Sequence, residues 1–308
     1  MARKQRGRSI NGWLALDKPL HITSTQALGR ARQILDAAKA GHGGTLDPLA
    51  TGVLPIALGE ATKTVSFAMD SSKTYRFEVT WGTATETDDC EGAIIARSDI
   101  LPNEEAINAA LIPLIGEISQ IPPNYSAIKV NGEPAYRLAR ARRPVKLKKR
   151  TVRIDRFEKT RMVNADRTEF EVDCGKGTYI RALARDLAEK LGTYGHISAL
   201  RRTRCGPFNE KSAISLDKLE ALGHKAADSR VLLPVSTVLD DIPALALTEE
   251  EASRMRHGQR LSLLAIARRA PLSGITPGTI VRAMCGEKVV ALATVADGLL
   301  KPVRVLNT

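Results

Sequence analysis

Apolar and polar positions follow two periods along this chain, and the switches between them outline its elements. Trp13 to Leu16 begin an apolar run that reads as a short strand. Beyond it Thr23 or Ser24 stands where a helix cap belongs, and Leu28, Ala31, Leu35 and Ala38 recur at helical spacing, which turns Arg30, Arg32 and Lys39 outward. Val53 to Leu58 predicts a buried strand, with a helix starting near Glu60. From Tyr75 the period drops to two: Tyr75, Phe77 and Val79 share one face of a strand, and Arg76, Glu78 and Thr80 the other. Asn103 caps an amphipathic helix running to about Leu114, and Asn131-Gly132 reads as a tight turn. Strands follow near Val152 to Phe157 and Glu169 to Cys174, and a helix with Leu183, Leu187 and Leu191 comes after Arg181. Strands and helices that mix without a regular βαβ alternation predict an α+β fold.

The pattern breaks between Pro234 and Leu247, where Asp240, Asp241 and Pro243 interrupt it. Thr248-Glu249-Glu250-Glu251 then has the form of a capping box, and Ile280 to Ala283, Val289 to Val295 and Val303 to Leu306 read as short strands. The expected organisation is a flexible basic tail over 1–9 (Arg3, Lys4, Arg6, Arg8), one large domain over 10–240, and a small, self-contained β-rich module over 247–308.

Composition narrows the partner. The 308 residues carry a formal charge of +12, and the nine basic residues from Lys129 to Arg150 face a single acid, Glu133. Such a cluster, with Lys129, Arg140, Arg142, Arg143, Lys146, Lys148 and Lys149 among its members, points to phosphate contacts and so to nucleic acid. Aromatic residues make up only 4%, too few for a broad base-stacking platform. No run approaches the roughly 18 apolar residues of a membrane span, and no signal-peptide core is present, which predicts a cytoplasmic protein. Cys90, Cys174, Cys205 and Cys285 are far apart and form no metal-ligand pair, so they are expected as small core side chains. The acid- and threonine-rich stretch Gly82 to Gly92, with Asp88 and Asp89, lacks calcium-loop spacing, and no metal site is expected.

Candidate chemistry concentrates in Gly41-His42-Gly43-Gly44-Thr45-Leu46-Asp47-Pro48-Leu49-Ala50-Thr51-Gly52-Val53-Leu54-Pro55. Glycines permit close backbone approaches, Pro48 forces Asp47 out of the helical region, and one carboxylate is left held in a loop. An isolated Asp-Pro more often opens a turn. This stretch, however, resembles the catalytic motif of the TruB family, the bacterial synthases that make pseudouridine in the T loop of tRNA. The resemblance continues, in the family's order, through Gly12 to Pro19, Lys73-Thr74-Tyr75, Pro122 to Gly132, Gly175 to Arg181 and Leu200 to Phe208.

The resemblance implies a mixed central sheet with flanking helices and, more weakly, a PUA-like RNA-binding C-terminal module. It implies isomerisation of one uridine by base flipping, breakage of the glycosidic bond and reattachment through C5, with no cofactor. Asp47 matches the essential catalytic aspartate, Arg181 its arginine partner, and Tyr75 the residue that stacks on the target uracil. Tyr75 also fits a core side chain by its place in the alternation. Tyr179 is implied as a pocket wall, His42 as a side chain beside the flipped nucleotide, and Lys18 and Leu200 as lining of the cleft. The family often has Thr where this chain has Gly43, a change expected to loosen the loop. The implied partner is the T arm of tRNA, met by a monomer with no obligate protein partner. A non-catalytic RNA binder would not need Asp47, Tyr75 and Arg181 together, and a metal-dependent nuclease would have to use Asp88 and Asp89.

Overall fold

The computed structural model describes residues 7–228, 231–269 and 274–307. Arg3, Lys4 and Arg6 of the expected tail therefore lie outside the described residues. Arg8 is not loose: its backbone bridges to Ala37, and its carbonyl accepts from the Ala38 N–H at 2.9 Å.

A large mixed sheet organises the chain. Its central strands run Gly12–Lys18, Ala50–Leu58, Gly195–Cys205, Lys73–Trp81, Arg167–Cys174, Arg150–Asn164 and Gly116–Gln120, each paired with the next. All these pairings are antiparallel except one, in which Leu200 to Arg202 run parallel to Ala50 to Gly52. Both faces of the first two strands are covered, which explains why they read as unbroken apolar runs. Leu14, Leu16, Leu54, Ile56 and Leu58 enter one core, while Trp13, Ala15, Val53 and Ala57 enter a second on the opposite face.

The helix caps follow the sequence. Thr23 caps helix Ser24–Ile34 through a capping box with Gln26, and Asn103 caps Glu104–Leu111 by accepting from the Ala106 N–H. The buried stripe of the first helix is Ala27, Ala31 and Leu35, with Leu28 only partly covered. The helix expected from Glu60 begins instead as a 3-10 turn, Gly59–Thr64, and becomes regular at Val65–Asp70. The strand Gly195–Cys205, absent from the periodicity reading, lies in the middle of the sheet although it carries Arg201, Arg202 and Arg204. Of the four cysteines expected in cores, Cys174 and Cys205 are buried and Cys90 is exposed.

Beyond the large sheet, strands Ala244–Ala246, Ile280–Cys285, Lys288–Ala296, Leu299–Val305 and Leu261–Ser262 make a five-stranded sheet in that order. The Thr248 capping box opens helix Glu249–Arg256 against it. This module has a core of its own, but it is not self-contained. Val289, Leu292 and Leu306 share the second core with Trp13, Val53 and Phe208. Lys63 also donates to the Val305 carbonyl at 2.8 Å, and the Asn307 N–H donates to Glu60 at 2.7 Å. The module therefore closes the rear face of the sheet. Among the described residues no helix is long and apolar enough to cross a membrane.

Candidate active site

The loop bearing Asp47 is fastened through its backbone on both sides, and its carboxylate is left reaching solvent. Leu46 and Leu49 bury their side chains on either side of it. The Ser24 hydroxyl accepts from the Leu46 N–H at 2.7 Å and donates to the Leu46 carbonyl at 2.9 Å. The Pro48 carbonyl accepts from the His21 N–H at 2.9 Å and from Lys18 Nζ at 3.3 Å. Upstream, the Gly44 carbonyl accepts from Arg202 at 3.1 Å. With its backbone held this way, the Asp47 side chain remains 38% exposed.

Gly43 does not loosen this loop. It is buried, its N–H donates to the Pro55 carbonyl at 2.8 Å, and a Cβ there would lie 2.8 Å from that of Ala68. Ala68 fills the space that a side chain at position 43 would need.

Arg181 reaches the open carboxylate from the first turn of helix Ile180–Lys190, with 2.8 Å between its Nη2 and Asp47 Oδ2. The guanidinium is buried, and both of its terminal nitrogens have further partners. Nη1 donates to the Thr87 carbonyl at 2.9 Å, Nη2 donates to the Tyr125 carbonyl at 3.0 Å, and Asp89 lies 3.5 Å away. This is no surface ion pair: a buried cation bonded to two carbonyls and two carboxylates is held in one orientation. Asp88 in turn pairs with Arg185 at 2.9 Å. The acids that stood as metal candidates are thus engaged by arginines, and Asp89, buried beside Arg181, is a member of the site that its sequence context did not reveal.

The other expected residues take distinct places. Tyr75 packs partly into the first core, and burial pushes its hydroxyl up to about 12. Tyr179 precedes the Arg181 helix, and its N–H and carbonyl both bond to the Gln120 side chain; burial raises its hydroxyl too. Leu200 lies in the sheet beside Ala50 and Phe77, nearly buried. His42 ends the short strand Ala40–His42, opposite Ile56. Burial and the nearby Arg202 lower its pKa, and its Nδ1 has no hydrogen-bond partner among the described residues.

Lys18 is a clamp rather than an open cleft residue. It is fully buried and donates to the carbonyls of Pro19, Ile22 and Pro48. Burial lowers its pKa from 10.5 to about 8, against the attraction of Asp47.

The basic segment is rooted beside Arg181 through Tyr125. It turns at Asn131-Gly132, both with positive φ, and continues through the short helix Ala135–Arg140. Lys129, Arg140, Arg142, Arg143, Lys146, Lys148 and Lys149 are all exposed. Arg143 pairs with Glu133 at 3.0 Å, and Arg140 lies 5.7 Å from the Tyr136 ring centre.

Comparison with known proteins gives a consistent picture. Residues 32–180 match the profile described as TruB family pseudouridylate synthase, N-terminal domain, and residues 181–240 match that of the tRNA pseudouridylate synthase B C-terminal domain. The protein named tRNA pseudouridine synthase B of Rhodospirillum rubrum is 53% identical over 307 residues, covering 100% of both chains. That of Caulobacter vibrioides is 52% identical over 308 residues, covering 100% of this chain and 99% of its own. Among solved structures, an archaeal box H/ACA Nop10-Cbf5 complex superposes with a TM-score of 0.73 at 23% identity, covering 99% of this chain and 92% of that one. A Cbf5-Nop10-Gar1 complex gives 0.70 at 26% identity, covering 96% and 84%.

Proposed function

The chain belongs to the TruB family of pseudouridine synthases, and from that premise we propose that it isomerises uridine 55 in the T loop of tRNA to pseudouridine, with Asp47 as the catalytic group. The observation that carries this reading is the pairing of a solvent-reaching carboxylate with a buried guanidinium at 2.8 Å, itself anchored by two backbone carbonyls. The reaction breaks the bond between N1 of uracil and the sugar, turns the base, and joins C5 to the same carbon, C5 giving up its proton and N1 taking one up. Atoms and electrons balance within the nucleotide, so neither a redox partner nor a group donor is required. A carboxylate is suited to this work as nucleophile or base, and a fixed guanidinium beside it holds its direction.

The remaining roles follow from position. An aromatic ring at Tyr75, partly packed against the first core, offers a face to an extruded base, and Tyr179 stands beside Arg181 as a wall of the same site. His42, neutral at physiological pH because burial lowers its pKa, adds a ring near the loop without adding charge. Leu200 supports the floor through Ala50, and Lys18 acts from behind by holding Pro48. The exposed cations from Lys129 to Lys149 meet tRNA phosphates next to the pocket. Residues 10–240 form the catalytic domain and residues 247–308 a PUA-like module that adds RNA contacts. The enzyme works in the cytoplasm as a monomer, on the T arm of tRNA and with no obligate protein partner.

The decisive experiment is incubation of purified protein with unmodified tRNA, followed by mapping of pseudouridine at single-nucleotide resolution. Conversion of that one T-loop uridine is expected. Unchanged tRNA, or conversion elsewhere only, would refute the proposal.

A further inference from the structure

After Trp13, Arg202 is the largest fully buried side chain among the described residues. Withdrawing a guanidinium from water is costly unless its donors are satisfied. Its partners here are backbone carbonyls of the catalytic segment. Nε donates to Val53 at 2.7 Å, Nη2 to Gly44 at 3.1 Å and Nη1 to Thr45 at 3.5 Å. Gly44 and Thr45 lead directly into Leu46 and Asp47. On the other side, Arg202 is the antiparallel register partner of Tyr75, so the two side chains stand on the same face of the sheet, and the guanidinium works against the upward shift that burial gives the Tyr75 hydroxyl.

The surrounding glycines leave room for this arrangement. Gly52, the parallel register partner, has φ +100°, and a Cβ there would stand 2.2 Å from the Arg202 carbonyl oxygen. A residue kept solely to stabilise the sheet would be apolar at such a position. What a guanidinium adds is a rigid fork from the strand beside Tyr75 to the carbonyls of the Asp47 loop.

We propose that Arg202 is a positioning residue for the isomerisation: by clamping the Val53, Gly44 and Thr45 carbonyls from the strand position beside Tyr75, it holds the Asp47 loop and the Tyr75 ring in one fixed relation. The inference rests on the pseudouridine synthase reading. It assigns Arg202 no contact with RNA and no part in proton transfer.

The test is single-turnover kinetics on unmodified tRNA for Arg202→Lys, Tyr75→Phe and the double variant, with equilibrium tRNA binding measured alongside. Lysine keeps the charge but not the fork, so the rate is expected to fall about a hundredfold, the scale of an ångström-sized misplacement of catalytic groups. tRNA affinity is expected to stay within about threefold, the pattern of an interaction that matters in the transition state alone. The double variant is expected to lose less than the product of the single losses, because the two residues act as a unit. A wild-type rate in Arg202→Lys, equal losses of rate and affinity, or fully multiplicative losses overturns the proposal. Should Arg202→Lys not fold, wild-type and Tyr75→Phe protein carrying nitrogen-15-labelled arginine keep the question open to test. The Arg202 Nε–H must exchange slowly with solvent and its guanidinium resonance must move in Tyr75→Phe; a fast-exchanging or unmoved resonance overturns the clamp. Asp47→Asn, assayed in parallel, separates the two levels. If it is inactive while Arg202→Lys is unimpaired, only the clamp fails, whereas an active Asp47→Asn removes Asp47 from the chemistry and wild-type protein that leaves tRNA unmodified removes the synthase reading itself.

Discussion

The backbone around Asp47 is held at Gly44, Leu46 and Pro48, which leaves the Asp47 carboxylate free to face the proposed chemistry. Asp47→Asn keeps the size of the side chain and the Arg181 helix in place. Folding and tRNA binding are expected to persist, while single-turnover rate falls by well over the roughly 10²–10⁴-fold that acid–base catalysis alone contributes. A rate within about tenfold of wild type would remove Asp47 from the chemistry. Lys18 predicts a pH dependence. Its folded pKa is lowered from 10.5 to about 8, so it is charged below that value and neutral above it. A neutral amine has two hydrogens for three carbonyls and no longer attracts Asp47, and the rate is therefore expected to decline as pH rises through about 8. Stability moves the other way. Between about 8 and 10.5 the unfolded chain binds more protons at this lysine than the folded one, so Lys18 by itself makes the fold more stable as pH rises through that window. A falling rate with an undiminished Tm is the expected signature, and a rate flat to pH 10 contradicts it.

Among the elements, Gly195–Cys205 shows why periodicity alone is not enough. Three arginines argue against a central strand, yet each is neutralised by a particular neighbour. Arg201 meets Asp17 at 2.9 Å and Glu210 at 2.6 Å, Arg202 meets the loop carbonyls, and Arg204 reaches Thr74 at 3.0 Å and Asp173 at 3.5 Å. None of these partners is near in sequence apart from Glu210, so no local window contains the compensation. The basic segment is the opposite case, since its charge run is read locally and its residues are exposed as a run of solvated cations should be. Changing Arg142, Lys146 and Lys149 to Ala is expected to weaken tRNA binding and to flatten the slope of log affinity against log salt by up to about 0.9 per lost phosphate contact. The rate at saturating tRNA should be nearly unchanged. An unaltered slope would mean that this segment faces away from the RNA.

At the scale of the whole molecule, the C-terminal module is part of the enzyme's framework. Leu306 is 1% exposed and packs in the core that contains Trp13 and Phe208, whose rings lie 5.3 Å apart behind the catalytic loop. Leu306→Ala is expected to cost about 2–5 kcal/mol, as truncation of a buried leucine does. Because the core is shared, unfolding should show one cooperative transition by fluorescence and by circular dichroism, displaced to lower denaturant in the variant. Two separate transitions, with only the second affected, would restore the picture of an independent appendage. The linker pattern between Pro234 and Leu247 suggested independence because composition marks where a chain changes character, whereas it carries no record of which surfaces meet afterwards.

By itself the sequence determined the local features: the Thr23, Asn103 and Thr248 caps, the Asn131-Gly132 turn, the two-period strand through Tyr75, and the loop that presents Asp47. These rest on interactions among residues a few positions apart, so a short stretch of chain contains both partners. Family resemblance added the pairing of Asp47 with Arg181, which no spacing argument reaches across more than a hundred residues. Tertiary structure alone decided that Asp89 stands beside Arg181, that Lys18 serves as a clamp, that Arg202 lies between loop and tyrosine, and that the last strands close the rear core. Buried charge depends on satisfaction of donors by groups distant in sequence, and only the folded backbone brings those groups within hydrogen-bonding distance.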